Sequence, residues 1–185
     1  GHKVFGPTGI GALYAKPEVL NDMPVWQGGG NMIQDVTFDK TIYHKAPAKF
    51  EAGTGNIADA VGLGAALEYV ERIGIENIGR YEHALLAYAT QHMQPIPGLR
   101  LIGTAQDKAS VLSFVLDGHS TDEVGQALNA DGIAVRTGHH CAQPVMDHYG
   151  VPATARASLA CFNTREDLDV LARGIRSEEH TSELQ

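Results

Sequence analysis

Pro95 and Pro97 divide this chain into two textures, and that division constrains the fold more than any other feature. Upstream the pattern is helical. Asn56 can cap a helix in which Ile57, Ala60, Val61, Gly64, Leu67 and Val70 keep helical spacing until Gly74. A second helix is predicted from Glu76 to about Gln94, with Ile78, Tyr81, Leu85 and Tyr88 on one face, and the two read as a helical pair. Beyond Pro97, short β-type runs at Leu99–Ile102, Ser110–Leu116, Ile133–Arg136 and Ala155–Leu159 alternate with helices, the pattern of a compact α/β unit. Ser120 with Glu123 forms a capping-box pair at one helix start, and Thr164 with Asp167 marks another.

Toward the N-terminus, glycine-rich Gly1–Gly9 reads as a loop, and the mostly apolar run Ile10–Ala15 suits a short buried strand. Pro17 opens a short helix through Asp22. From Pro24 to Ala52 no period is sustained, and a triple glycine stands at Gly28, Gly29 and Gly30. Long irregular stretches in compact proteins are usually functional or disordered. The last residues, RSEEHTSELQ at Arg176–Gln185, resemble translated sequencing-library adapter more than a helix end and are set aside as non-native. The start at Gly1 rather than Met reads as a segment missing upstream.

Composition narrows the functional classes. The formal charge is -8 and the 14 basic residues are scattered, which argues against a nucleic-acid or anionic-membrane surface. No long apolar run and no secretory signal is present in the sequence, so a cytoplasmic location is expected. With cysteine at 141 and 161 alone, a disulfide framework is not expected.

The richest constellation is RTGHHCAQP, Arg136–Pro144, which follows a strand, precedes no immediate helix and so reads as a loop. Arg136, His139 and His140 are cationic or potentially cationic neighbours that favour a thiolate at Cys141. Cys161 follows ARASLA and reads as an inert buried cysteine. His139, His140, Cys141 and His148 are zinc-ligand types, but adjacent residues rarely face one ion and structural-zinc spacings are absent, so no metal is expected. Arg156, set among small and apolar residues, needs either a structural carboxylate partner or an anionic ligand. The turn Gly53-Thr54 before the helix at Asn56 is a weak phosphate signal.

Five segments taken together, GHKVFGPTGIGALY from Gly1, GGGNMI from Gly28, KFEAGT from Lys49, RTGHHCAQPVM from Arg136 and RASLACFNT from Arg156, resemble the SufS-type cysteine desulfurases. The resemblance runs from Gly1 to about Arg173 and corresponds to roughly the second half of a family member. It implies a fold-type I α/β transferase dependent on pyridoxal 5'-phosphate. Residues 1–72 would be the end of the cofactor-binding large domain, residues 73–175 the small C-terminal α/β domain, and 176–185 the non-native tail.

The resemblance also implies roles. Lys3 takes the place of the lysine that carries the cofactor, and His2 helps hold its phosphate. Thr54 matches the threonine that reaches the phosphate of a neighbouring subunit, hence a homodimer. Arg156 matches the arginine that holds the substrate carboxylate, Arg136 matches a second arginine lining the substrate pocket, and Cys141 matches the nucleophile that accepts sulfur from L-cysteine, leaving L-alanine and a persulfide for a Suf-type acceptor in iron–sulfur cluster assembly. Gly55 stands where the family usually has proline, which loosens that turn. The family's ring-stacking histidine and pyridine-facing acid lie outside this chain, so the fragment alone is expected to be inactive. The alternatives are a selenocysteine lyase and a cofactor-free sulfur carrier, which would leave Lys3, the glycine loop and Arg156 without a purpose.

Overall fold

A computed structural model describes residues 1–182, with side chains through residue 177. It divides into two compact units, Gly1–Gly74 and Ile75 onward. The sequence reading placed this boundary between residues 72 and 73. The two predicted helices therefore fall in different units.

The first unit holds α1 (Pro17–Asp22), a two-stranded antiparallel hairpin of β1 (Ile33–Val36) and β2 (Thr41–Tyr43), a 3₁₀ turn at Ala48–Phe50 and α2 (Ile57–Ile73). Asn56 caps α2 as predicted, its side chain accepting from the Asp59 amide at 3.2 Å. The hairpin is unanticipated: β1 and β2 are short, carry a register shift between Ile33 and Asp35, and close through Thr37–Lys40 hydrogen bonds. The buried strand expected at Ile10–Ala15 does not form. Leu13 and Tyr14 are 85% and 91% exposed, because no strand of the unit pairs with this segment and apolar content alone does not create a ladder.

The second unit is an antiparallel sheet with strand order β3–β4–β6–β5, where β3 is Leu99–Ile102, β4 Val111–Leu116, β5 Arg136–Gly138 and β6 Thr154–Ser158. Along β4 burial alternates. Leu112, Phe114 and Leu116 turn inward to meet α3 (Ile75–Met93), α4 (Thr121–Ala130) and α6 (Arg165–Ser182), which supply Leu85, Leu86, Leu128, Leu171 and Ile175. Ser113 and Val115 face the other side. There α5 (Gln143–Tyr149) sets Met146 against Ile102 and Val151, with Val115 beside them.

The capping boxes form as read. Ser120 and Glu123 bond reciprocally, and Thr164 and Asp167 do the same at the start of α6. Bonds from the Ser120 backbone and hydroxyl hold the Glu123 carboxyl below its ordinary range, and the Thr164 amide does so for Asp167. The ladder of β5 starts at Arg136, not Ile133: Ile133 and Val135 pack on the core, while pairing with β6 begins only at the Arg136–Arg156 step. Helix α6 continues through residues 176–182 of the segment set aside as non-native, since RSEEHTS has neither glycine nor proline to stop it. The rest of that segment lies outside the described residues. Among the described residues no helix is long and apolar enough to cross a membrane.

Candidate active site

In the first unit, Lys3 lies in a turn built on one carbonyl. The oxygen of Gly1 accepts from the amides of Val4, at 2.9 Å, and Gly6, at 3.0 Å, with Phe5 left-handed at φ 64. The segment is then seated on α2 at successive points: Phe5 meets Tyr69 edge to face, Pro7 approaches Gly62 so closely that a Cβ there would sit 2.7 Å from its ring, and Gly9 accepts from the Asn56 side chain. His2 and Lys3 are both exposed, and among the described residues neither is engaged by a hydrogen bond or an ion pair. A primary amine is thus presented on an anchored turn.

Thr54 stands in a separate loop whose shape explains the glycine run. The Gly53 amide donates to the Gly30 carbonyl at 2.8 Å, and Asn31 donates to the Gly53 carbonyl at 3.0 Å. A Cβ on Gly29 would come within 3.2 Å of the Ala52 Cβ, so the triple-glycine segment and KFEAGT are packed against each other. Just before this loop Lys49 is buried, its Nζ donating to the Asn21 carbonyl at 2.9 Å, a structural role that sequence reasoning missed. The Gly53-Thr54 turn leads into the N-terminus of α2. Asp59 puts a carboxylate in the first turn and Asn56 caps it, so the end is already satisfied with negative charge.

In the second unit, strand register brings the predicted arginines together. Arg136 pairs with Arg156, Arg156 with Ser113 and Ser113 with Ile102, one row across four strands on the face that α5 partly covers. Residues opposite one another share a face with Cβ atoms about 5 Å apart, and like charges so placed repel. Nε of Arg156 is buried without a hydrogen-bond partner, so the structural carboxylate that could have explained this arginine is absent among the described residues. A planar carboxylate would answer both the repulsion and the unused donor.

Cys141 follows directly and is exposed. The Ala142 amide donates to the His139 carbonyl at 2.9 Å, and the two residues between, His140 and Cys141, have φ of 55 and 59. Two left-handed central residues define a type I′ turn, a conformation that favours Asn and Gly and costs side chains of this kind on the order of 1–3 kcal/mol each. The loop is shorter than the sequence implied. Helix α5 starts at Gln143, two residues past the thiol, with Pro144 in its first turn, where proline's fixed φ suits a helix start.

The electrostatic expectation also needs correction. Burial lowers the proton affinity of His140, with Arg156, Arg136 and His139 adding to that effect against an opposing Thr154 hydrogen bond, so this ring is neutral near neutral pH. His139 Nδ1 accepts from the Cys141 amide at 3.1 Å. His140 Nε2 is turned to Thr154 and His148 packs on Tyr149, and among the described residues no three potential ligands converge on a metal position. Cys161 is partly exposed rather than buried.

The second unit thus exposes a thiol on a constrained turn that leads from the strand carrying one of two cross-strand-paired arginines, and the first unit exposes an amine on an anchored turn. The chain belongs to the aminotransferase class-V family, whose pattern it matches over residues 1–171. It is 65% identical over 176 residues to a cysteine desulfurase of Synechococcus elongatus, covering 95% of this chain and 28% of that protein. It is 50% identical to a cysteine desulfurase of Escherichia coli O1:K1 / APEC, covering 95% and 43%. The fold is similar to the crystal structure of the cysteine desulfurase CsdA from Escherichia coli, with a TM-score of 0.92, 39% identity and coverage of 97% of this chain and 45% of that one. The fold-type I α/β assignment is thereby borne out, and the chain spans less than half the length of these relatives.

Proposed function

We propose that this chain is the thiol-bearing part of a cysteine desulfurase dependent on pyridoxal 5'-phosphate, which converts L-cysteine to L-alanine and leaves the sulfur on Cys141 as a persulfide. The observation that carries the reading is the Arg136–Arg156 cross-strand pair, with a buried unpartnered Nε, next to the turn that exposes Cys141. Arg156, with Arg136 beside it, binds the substrate carboxylate and fixes the orientation of the rest of the molecule. The Cys141 thiolate attacks the substrate sulfur. A sulfur–sulfur bond forms, the substrate carbon–sulfur bond breaks, its electron pair stays with the carbon fragment, and protonation there gives alanine.

Lys3 fits the cofactor's covalent anchor: its amine is exposed, unengaged among the described residues and carried on a turn seated against α2. His2 beside it, and Thr54 on the glycine-packed loop, are the groups directed to the phosphate, Thr54 serving the site of a second copy in a homodimer. The chemistry supplied by bound pyridoxal phosphate is an electron sink at the substrate's α-carbon, and Lys3 moves protons at that carbon. The persulfide passes to a Suf-type acceptor for iron–sulfur cluster assembly. A cytoplasmic setting suits the free thiols of Cys141 and Cys161.

The test uses the chain completed to the length of its relatives. Cys141→Ala should abolish persulfide on the protein while leaving the cofactor's visible absorbance intact. Undiminished sulfur delivery to a protein acceptor by that variant would overturn the role given to Cys141.

A further inference from the structure

The turn that carries Cys141 contains a group the reaction does not use. His140 is half-buried, and its Nε2 lies 3.0 Å from the carbonyl oxygen of Thr154 and 2.9 Å from that residue's Oγ1. A carbonyl oxygen can only accept, so this contact requires the proton on Nε2. Nδ1 is buried and has no hydrogen-bond partner. Thr154 is 0% exposed and sits in β6 opposite Gly138, so the ring is moored to the sheet.

Two other bonds shape the turn from within, Ala142 amide to His139 carbonyl and Cys141 amide to His139 Nδ1. Neither ties it to the sheet. Yet His140 and Cys141 both hold a left-handed backbone that side chains of their kind disfavour, and such conformations persist where surroundings over-determine them. We propose that His140 is a positioning residue: its ring, bonded through Nε2 to Thr154, locks the left-handed pair His140–Cys141 and fixes the direction in which the thiol is presented.

A neutral ring suits this role, because the positive charges that face it, Arg136 on β5 and Arg156 on β6, stay free for an anion. The consequence for sulfur transfer rests on Cys141 being the reacting thiol. The anchoring itself does not, and it is testable in the 185-residue chain without any reaction.

The experiment is amide hydrogen exchange at Ala142, whose N–H closes the turn, in a chain whose overall fold is followed by circular dichroism. His140→Ala, which keeps a left-handed non-glycine residue but removes the ring, should speed exchange at Ala142 by about tenfold. Thr154→Val removes one of the two acceptors and should speed it by roughly two- to threefold, with no further effect in the His140→Ala background. Exchange in His140→Ala within twofold of wild type, or a Thr154→Val effect undiminished in that background, overturns the proposal. Nitrogen-15 shifts of His140 in the unaltered chain serve if either variant fails to fold: a neutral ring protonated on Nε2 supports the anchor, and a proton on Nδ1 refutes it. In the completed enzyme, His140→Ala should lower kcat for persulfide formation with KM for L-cysteine unchanged. Absence of persulfide from the unaltered enzyme would count against the functional reading and not against the anchor.

Discussion

The two units handle apolar side chains in opposite ways. The second gathers Leu85, Met93, Leu112, Phe114, Leu128, Leu168 and Ile175 into one core between a sheet and three helices. The first buries Met32 and Ala66 and leaves Leu13, Tyr14, Trp26, Phe38, Ile57 and Val61 from 69% to 112% exposed. Clustered exposed apolar groups mark surfaces that bind something. The contrast places the main apolar core in the unit with the thiol and leaves the unit with Lys3 with few buried apolar side chains.

Phe114→Ala should destabilise the chain by about 3–5 kcal/mol in urea unfolding, whereas Trp26→Ala should stay within about 0.5 kcal/mol. Equal losses would show that the first unit's apolar surface is already supported. Ser120→Ala removes an observed cap and should cost about 1 kcal/mol in the same assay. Because the folded-state pKa values of Glu123 and Asp167 are depressed, their contribution to the second unit is full above the ordinary carboxylate range and is lost as pH falls through the lowered values. Unfolding of Ser120→Ala should therefore depend less on pH in the acid range than that of the parent chain. Smallest is Arg136→Gln, which relieves the cross-strand repulsion and should stabilise the chain by roughly 0.2–1 kcal/mol in carboxylate-free buffer. A loss instead would mean that the arginine pair is already satisfied in the absence of an anion.

Legibility in the sequence follows the same division. Helices α1, α2 and α3, strands β3 and β4 and both capping boxes are readable because each is specified by local signals: a proline, a cap, a period. The β1–β2 hairpin and the exposed Ile10–Ala15 are not, since short strands depend on which neighbour pairs with them. The residue types around Cys141 are legible, and Arg136 and Arg156 stand out. Their register is not, because pairing across β5 and β6 is a tertiary fact. Nor does the sequence carry any signal that His140 and Cys141 adopt positive φ, or that Thr154 receives the imidazole; histidine and cysteine are not the residues that advertise a type I′ turn.

The proposed function divides the labour, with the cofactor on Lys3 and the sulfur on Cys141. The most direct measurement is peptide mass spectrometry of the completed enzyme after a single turnover with L-cysteine, half of the sample reduced with borohydride to fix the cofactor. The account predicts the reduced cofactor on the peptide containing Lys3 and one added sulfur on the peptide containing Cys141. Cofactor on Lys49 or another lysine, or added sulfur on Cys161, would contradict it.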